Sequence, residues 1–186
     1  MDLCVRYYLL TLENQSIYYT SEKPMLICLL MLCDLERGGY ISFEEGIKVI
    51  KDSNDYRQSL LDAIREKGLC DIGQVVDYYL RQLSMKEIKG LVQNLQDYCV
   101  DNNYLKVTKG LFGKVKFDVL CEEELLNMEV DKVLFECMRV TSDKSKAYKE
   151  KYKKYVCESK PNGNFETYMV KNIALIKAHI INLVAN

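Results

Sequence analysis

Apolar residues recur along this chain in two rhythms, and one arrangement of them occurs twice. Met25 to Leu35 is a helix-like apolar run, followed from Tyr40 to Ile50 by apolar residues at a spacing of two. Ile88 to Val100 is again helical in rhythm, followed by alternation from Tyr104 to Phe117 about the Gly110 and Gly113 turn. A spacing near 3.6 followed by a spacing of two predicts a helix and then a β-hairpin in each copy, which is winged-helix-like grammar.

The remaining segments read as helices with recognisable ends. Val5 to Leu12 opens a buried helix and Asn14-Gln-Ser breaks it. Ser21 caps the next helix, whose first turn accepts Pro24 because no N–H is needed there, and Gly38-Gly39 stops it. Asp55 starts a helix carrying Leu60, Leu61 and Ile64, which ends at Gly68.

Asp71 with Gln74 opens another helix, with Ile72, Val75, Val76, Tyr79, Leu80 and Leu83 on one side. Ser84-Met-Lys-Glu87 is a capping-box pattern that starts the helix of the second copy, with Ile88, Leu91, Val92, Leu95 and Cys99 as its apolar face. One helix is predicted from about Cys121 to Arg139, its Glu122-Glu-Glu opening suited to the positive end of a helix dipole. Lys160-Pro-Asn-Gly-Asn164 is a turn, and Phe165 to Val184 is the last helix. The expected fold is mainly α, a single globular helical domain over residues 1–186 with two short β-hairpins.

Composition narrows the function classes. With 186 residues and 48% hydrophobic content the chain can bury one substantial core, and 26 basic against 27 acidic residues give no global attraction to polyanions. Nucleic-acid or membrane binding therefore needs a local patch. The opening Met-Asp-Leu-Cys-Val-Arg lacks the order of a signal peptide, and the longest apolar run is about half a membrane span, so a soluble protein is expected. Eight scattered cysteines with no Cys-x-x-Cys and a single histidine, His179, offer no zinc site and read as free thiols, mostly buried, in a reducing cytoplasm.

Catalysis finds no anchor. His179 has no second histidine, no serine lies in a nucleophile elbow, and Gly38-Gly39 ends a helix where a phosphate loop would begin one. The adjacent carboxylates Glu44-Glu45 and Glu122-Glu-Glu124 read as solvated. No enzyme and no cofactor are expected.

The order Tyr7-Tyr-Leu-Leu-Thr-Leu12, Leu29-Leu-Met-Leu-Cys-Asp-Leu-Glu-Arg-Gly-Gly-Tyr-Ile41, Ser59-Leu-Leu-Asp-Ala-Ile64, Val76 to Leu83 and Leu95-Gln-Asp-Tyr-Cys-Val-Asp-Asn-Asn-Tyr-Leu105 resembles the Golgi phosphoprotein 3-like family over about residues 5 to 130. The resemblance is to a small bacterial member. It implies a single mostly helical domain without catalysis, peripheral on the cytoplasmic face of a membrane, and in eukaryotic relatives recognition of phosphatidylinositol 4-phosphate.

The family's headgroup pocket uses a Trp and several Arg residues, which an ungapped placement sets near Tyr19 and at Cys28, Lys89 and Val92. Lys89 keeps the positive charge, as a point charge in place of a planar fork. Lys89, Tyr19 and Lys86 are the resulting headgroup candidates.

Two basic segments stand out without the family. Lys144 to Tyr155 interleaves lysines with Tyr148, Tyr152 and Tyr155 and reads either as a phosphate-binding, interface-seeking segment or as a solvated helix with inward tyrosines. The second hairpin carries Lys106, Lys109, Lys114 and Lys116 around Leu111 and Phe112, a tip that either inserts into a membrane or partner or folds back on the core.

Three functions follow: an anionic-lipid binding module on a membrane surface; a protein-interaction module, homo-oligomeric through the second hairpin as family relatives are thought to be; and a winged-helix nucleic-acid binder. The last is weakened because the helix from Lys86 to Val100 has two lysines, both in its first turn, and carries Asp97.

Overall fold

A computed structural model describes residues 1–12, 22–80, 86–110, 115–128, 131–140 and 163–185. Its elements, in order, are α1 (Leu3–Thr11), α2 (Glu22–Arg37), β1 (Ile41–Ser42), β2 (Lys48–Val49), α3 (Gln58–Lys67), α4 (Ile72–Leu80), α5 (Lys86–Asp101), β3 (Leu105–Lys109), β4 (Val115–Val119), α6 (Glu122–Asn127), α7 (Lys132–Val140) and α8 (Asn164–Ala185). The chain is mainly helical, and its strands form two separate antiparallel hairpins.

The core is organised around α2. Every residue from Pro24 to Leu35 is buried, as expected of a helix apolar on all sides. It packs against α1, α5, α8 and β1. The amphipathic α5 presents Ile88, Leu91, Val92, Leu95 and Cys99 to the interior, all five positions its spacing predicts.

The two helix-hairpin copies share their joint as well as their rhythm. Both helices have 16 residues. α2 ends with Gly39 at φ 66°, its N–H on the Glu36 carbonyl (2.9 Å) and the next N–H, of Tyr40, on that of Leu35 (2.9 Å). α5 ends with Asn103 at φ 57°, its N–H on the Val100 carbonyl (3.0 Å) and that of Tyr104 on Cys99 (2.9 Å). This left-handed Schellman cap satisfies two otherwise orphan carbonyls, and Asn replaces Gly in the second copy because its short polar side chain tolerates positive φ.

Each tyrosine carbonyl then receives the returning strand: Ile50 N–H on Tyr40 at 2.8 Å and Leu120 N–H on Tyr104 at 2.9 Å.

The second hairpin pairs Leu105 with Val119, Val107 with Phe117 and Lys109 with Val115. One face of the ribbon thus packs Leu105 and Phe117 inward, while Lys106 and Thr108 are exposed on the other. Lys109 lies on the packing face yet is exposed, so the ribbon has run past the core at that point.

The single helix predicted from Cys121 to Arg139 is two helices. Met128 is extended (φ −76°, ψ 142°) and closes α6, and α7 restarts after Asp131. The break aims the Asp131 carboxylate at two guanidiniums, Arg6 at 3.0 Å and Arg37 at 3.1 Å, ion pairs that an uninterrupted run of helical spacing does not reveal.

Candidate functional site

The headgroup candidates on described residues begin with Lys86 and Lys89, both exposed in the first turn of α5. Their exposure follows from burial of Ile88, Leu91 and Val92, which turns Lys86 to the opposite side and Lys89 to the flank. A side chain built on Gly90 meets nothing within 4 Å, so the surface beside Lys89 is open. Two cations at the positive end of a helix dipole favour an anion there.

Farther along, the same exposed face turns acidic, with Asp97, hydrogen-bonded by Gln93 at 2.8 Å, and Asp101. The lysines of α5 are therefore confined to its first turn, which they share with Glu87, and this opposes a nucleic-acid backbone tracking along the helix.

The hairpin adds Lys106 and Lys109, both exposed on β3. Lys116 is drawn to Asp118 on its own strand (2.7 Å), which partly neutralises that end. Tyr19, Leu111, Phe112 and Lys114 lie outside the described residues, as does the lysine and tyrosine segment from 144 to 155. Cys28 and Val92, the other positions marked by the resemblance, are core side chains 0% and 1% exposed. Lys86 and Lys89 thus share one turn, and Lys109 follows on the strand fed by the same helix.

His179 sits on the rim of an open groove of about 230 Å³ between α4 and α8, its Nε2 4.0 Å from Asp77 Oδ1. Apolar groups, including Ile72, Val76 and Leu175, line most of this groove. Among the described residues no group of three potential metal ligands converges. No described helix is long and apolar enough to cross a membrane.

Side-chain chemistry concentrates instead at the C-terminal end of α2. The buried Asp34 carboxylate accepts the N–H groups of Leu3 and Cys4, each at 2.9 Å, and so caps α1 from another helix. Glu36 does the same for α8, accepting Asn164 N–H at 3.2 Å and Phe165 N–H at 3.0 Å. Arg37 bridges Asp131 and Glu166. Burial, and then the charge of Asp2, push the Asp34 carboxyl up to about 6.

Sequence reasoning passed over this cluster because each cap joins residues far apart in the chain. The available signal was a carboxylate, Asp34, inside an otherwise apolar run.

Comparison with protein-family models, curated proteins and solved structures finds no match to this chain.

Proposed function

We propose that this protein is a non-enzymatic module that binds anionic lipid headgroups at the cytoplasmic face of a membrane, through the first turn of α5 and the basic second hairpin. The observation that carries the reading is the exposure of Lys86, Lys89, Lys106 and Lys109 on one continuous helix-hairpin unit whose helix packs on α2. The basic residues supply attraction to an anionic surface, and near such a surface each lysine contributes about 1 kcal/mol. The resemblance to the Golgi phosphoprotein 3-like family supports the same reading and names phosphatidylinositol 4-phosphate as one headgroup to test.

Leu111 and Phe112, outside the described residues, supply a second contact in this reading, either with the lipid interface or with another copy of the chain. Co-sedimentation with neutral, phosphatidylglycerol-containing and phosphatidylinositol 4-phosphate-containing vesicles tests it, at low and physiological salt. Binding to anionic vesicles that weakens with salt and in Lys89→Ala is expected. Absence of binding to every vesicle sinks the lipid reading and favours the protein-interaction alternative.

A further inference from the structure

Around the end of α2 most acids have an arginine beside them: Asp131 takes Arg6 and Arg37, Glu166 takes Arg37, and Arg57 serves Asp2 and Asp55. Asp34 does not share in this. It is 5% exposed, its hydrogen-bond partners are the backbone N–H groups of Leu3 and Cys4 and the Cys4 thiol, and another carboxylate, Asp2, acts on it.

We propose that Asp34 is a proton-uptake site through which mild acidification tightens the first turn of α1 onto α2. The hydrogen bonds from Leu3 and Cys4 favour the charged carboxylate, but burial and the neighbouring Asp2 charge outweigh them and set the direction. While the turn is closed, a carboxylate is held out of water with no cation paired to it among the described residues, and when the turn opens the same group is returned to solvent.

The described groups around Asp34 are acidic, neutral or already paired. Asp2 adds negative charge, and the Cys4 thiol and the Tyr56 hydroxyl lie beside one another at 3.1 Å. Tyr56 donates to Asp2 at 2.7 Å, and Arg57 is spent on Asp2 and Asp55. Arg37, farther along α2, is engaged by Asp131 and Glu166.

The sign follows from linkage. Closed, the Asp34 carboxyl is raised to about 6 by burial and by Asp2, whereas open it returns to the ordinary carboxylate range. The closed state therefore binds the proton more tightly. Its added stability is fully present below the ordinary carboxylate value and is lost as pH rises through about 6. Between pH 7 and pH 5 this amounts to roughly a tenfold fall in the open population.

Hydrogen exchange of the Leu3 and Cys4 amides, followed by NMR from pH 5 to pH 7 and corrected for the intrinsic rate, tests the proposal. Protection that rises about tenfold towards pH 5 in the parent protein, and stays flat in Asp34→Asn, is expected. Protection that is flat or falls on acidification overturns it, as does a rise that survives in Asp34→Asn. Should Asp34→Asn not fold, Asp2→Asn decides: loss of the neighbouring charge moves the rise to lower pH, and an unmoved rise overturns the proposal.

Discussion

Glu36 holds Phe165: its carboxylate accepts the Phe165 N–H at 3.0 Å, 129 residues away in sequence, and the adjacent Asn164 N–H at 3.2 Å. A side chain at the end of the central helix thereby caps the last helix of the chain, as Asp34 caps the first. α2 organises the fold through its apolar surface and also through the two carboxylates at its end.

The cap gives a first prediction. Glu36→Ala leaves two helix N–H groups without their acceptor and costs about 1–2 kcal/mol, read as a lower urea midpoint. Gly163→Ala weakens the same contact from the other side, because its Cβ runs into Glu36 Oε2 and pushes the carboxylate away. The double variant loses little beyond Glu36→Ala, since both act on one contact. Full additivity contradicts the assignment.

At the end of α5, Asn103→Gly and Asn103→Ala separate backbone strain from side-chain loss. At φ 57° glycine retains the helix cap at no steric cost, whereas alanine costs on the order of 1 kcal/mol. Equal denaturation midpoints for the two variants contradict the Schellman geometry described for the second copy.

Gly46 ties the first hairpin to the turn before α4. Its φ is 99°, and a Cβ there lies 2.6 Å from the Cys70 carbonyl oxygen, the acceptor of the Ile47 N–H at 2.8 Å. Gly46→Ala combines a strained backbone with loss of that bond and costs about 2–3 kcal/mol in thermal or chemical unfolding. A change under half of that size contradicts the contact.

Thiol labelling separates the cysteines by burial. Cys70 is exposed, whereas Cys4, Cys28, Cys33, Cys99 and Cys137 are buried, and burial pushes the thiol pKa of all five up, so that less of each is thiolate at neutral pH. A thiol reagent at neutral pH, read by peptide mass spectrometry, labels Cys70 rapidly and these five only after denaturant is added. Labelling of Cys28 at the rate of Cys70 contradicts the packing around α2.

Much of this fold was legible because its principal elements carry strong local rhythms. The face Ile88, Leu91, Val92, Leu95 and Cys99 of α5, and the stop at Gly38-Gly39, required only spacing and the conformational freedom of glycine. The break at Met128 was hidden because Leu125, Val133, Leu134 and Cys137 are all buried on either side of it, while its reward, Asp131 between Arg6 and Arg37, is assembled from distant segments. The caps on α1 and α8 were hidden for the same reason. Of the lipid candidates, the solvent face of Lys86 and Lys89 follows from the helix period, and that of Lys106 from the strand period.

The most direct test of the proposed membrane contact is NMR of the labelled protein with lipid nanodiscs, neutral in one sample and containing phosphatidylglycerol in the other. Broadening confined to the anionic sample and centred on Lys86, Lys89, Lys106 and Lys109 is the predicted result. No difference between the two samples, or broadening centred on the α4 and α8 groove with α5 unaffected, contradicts the account.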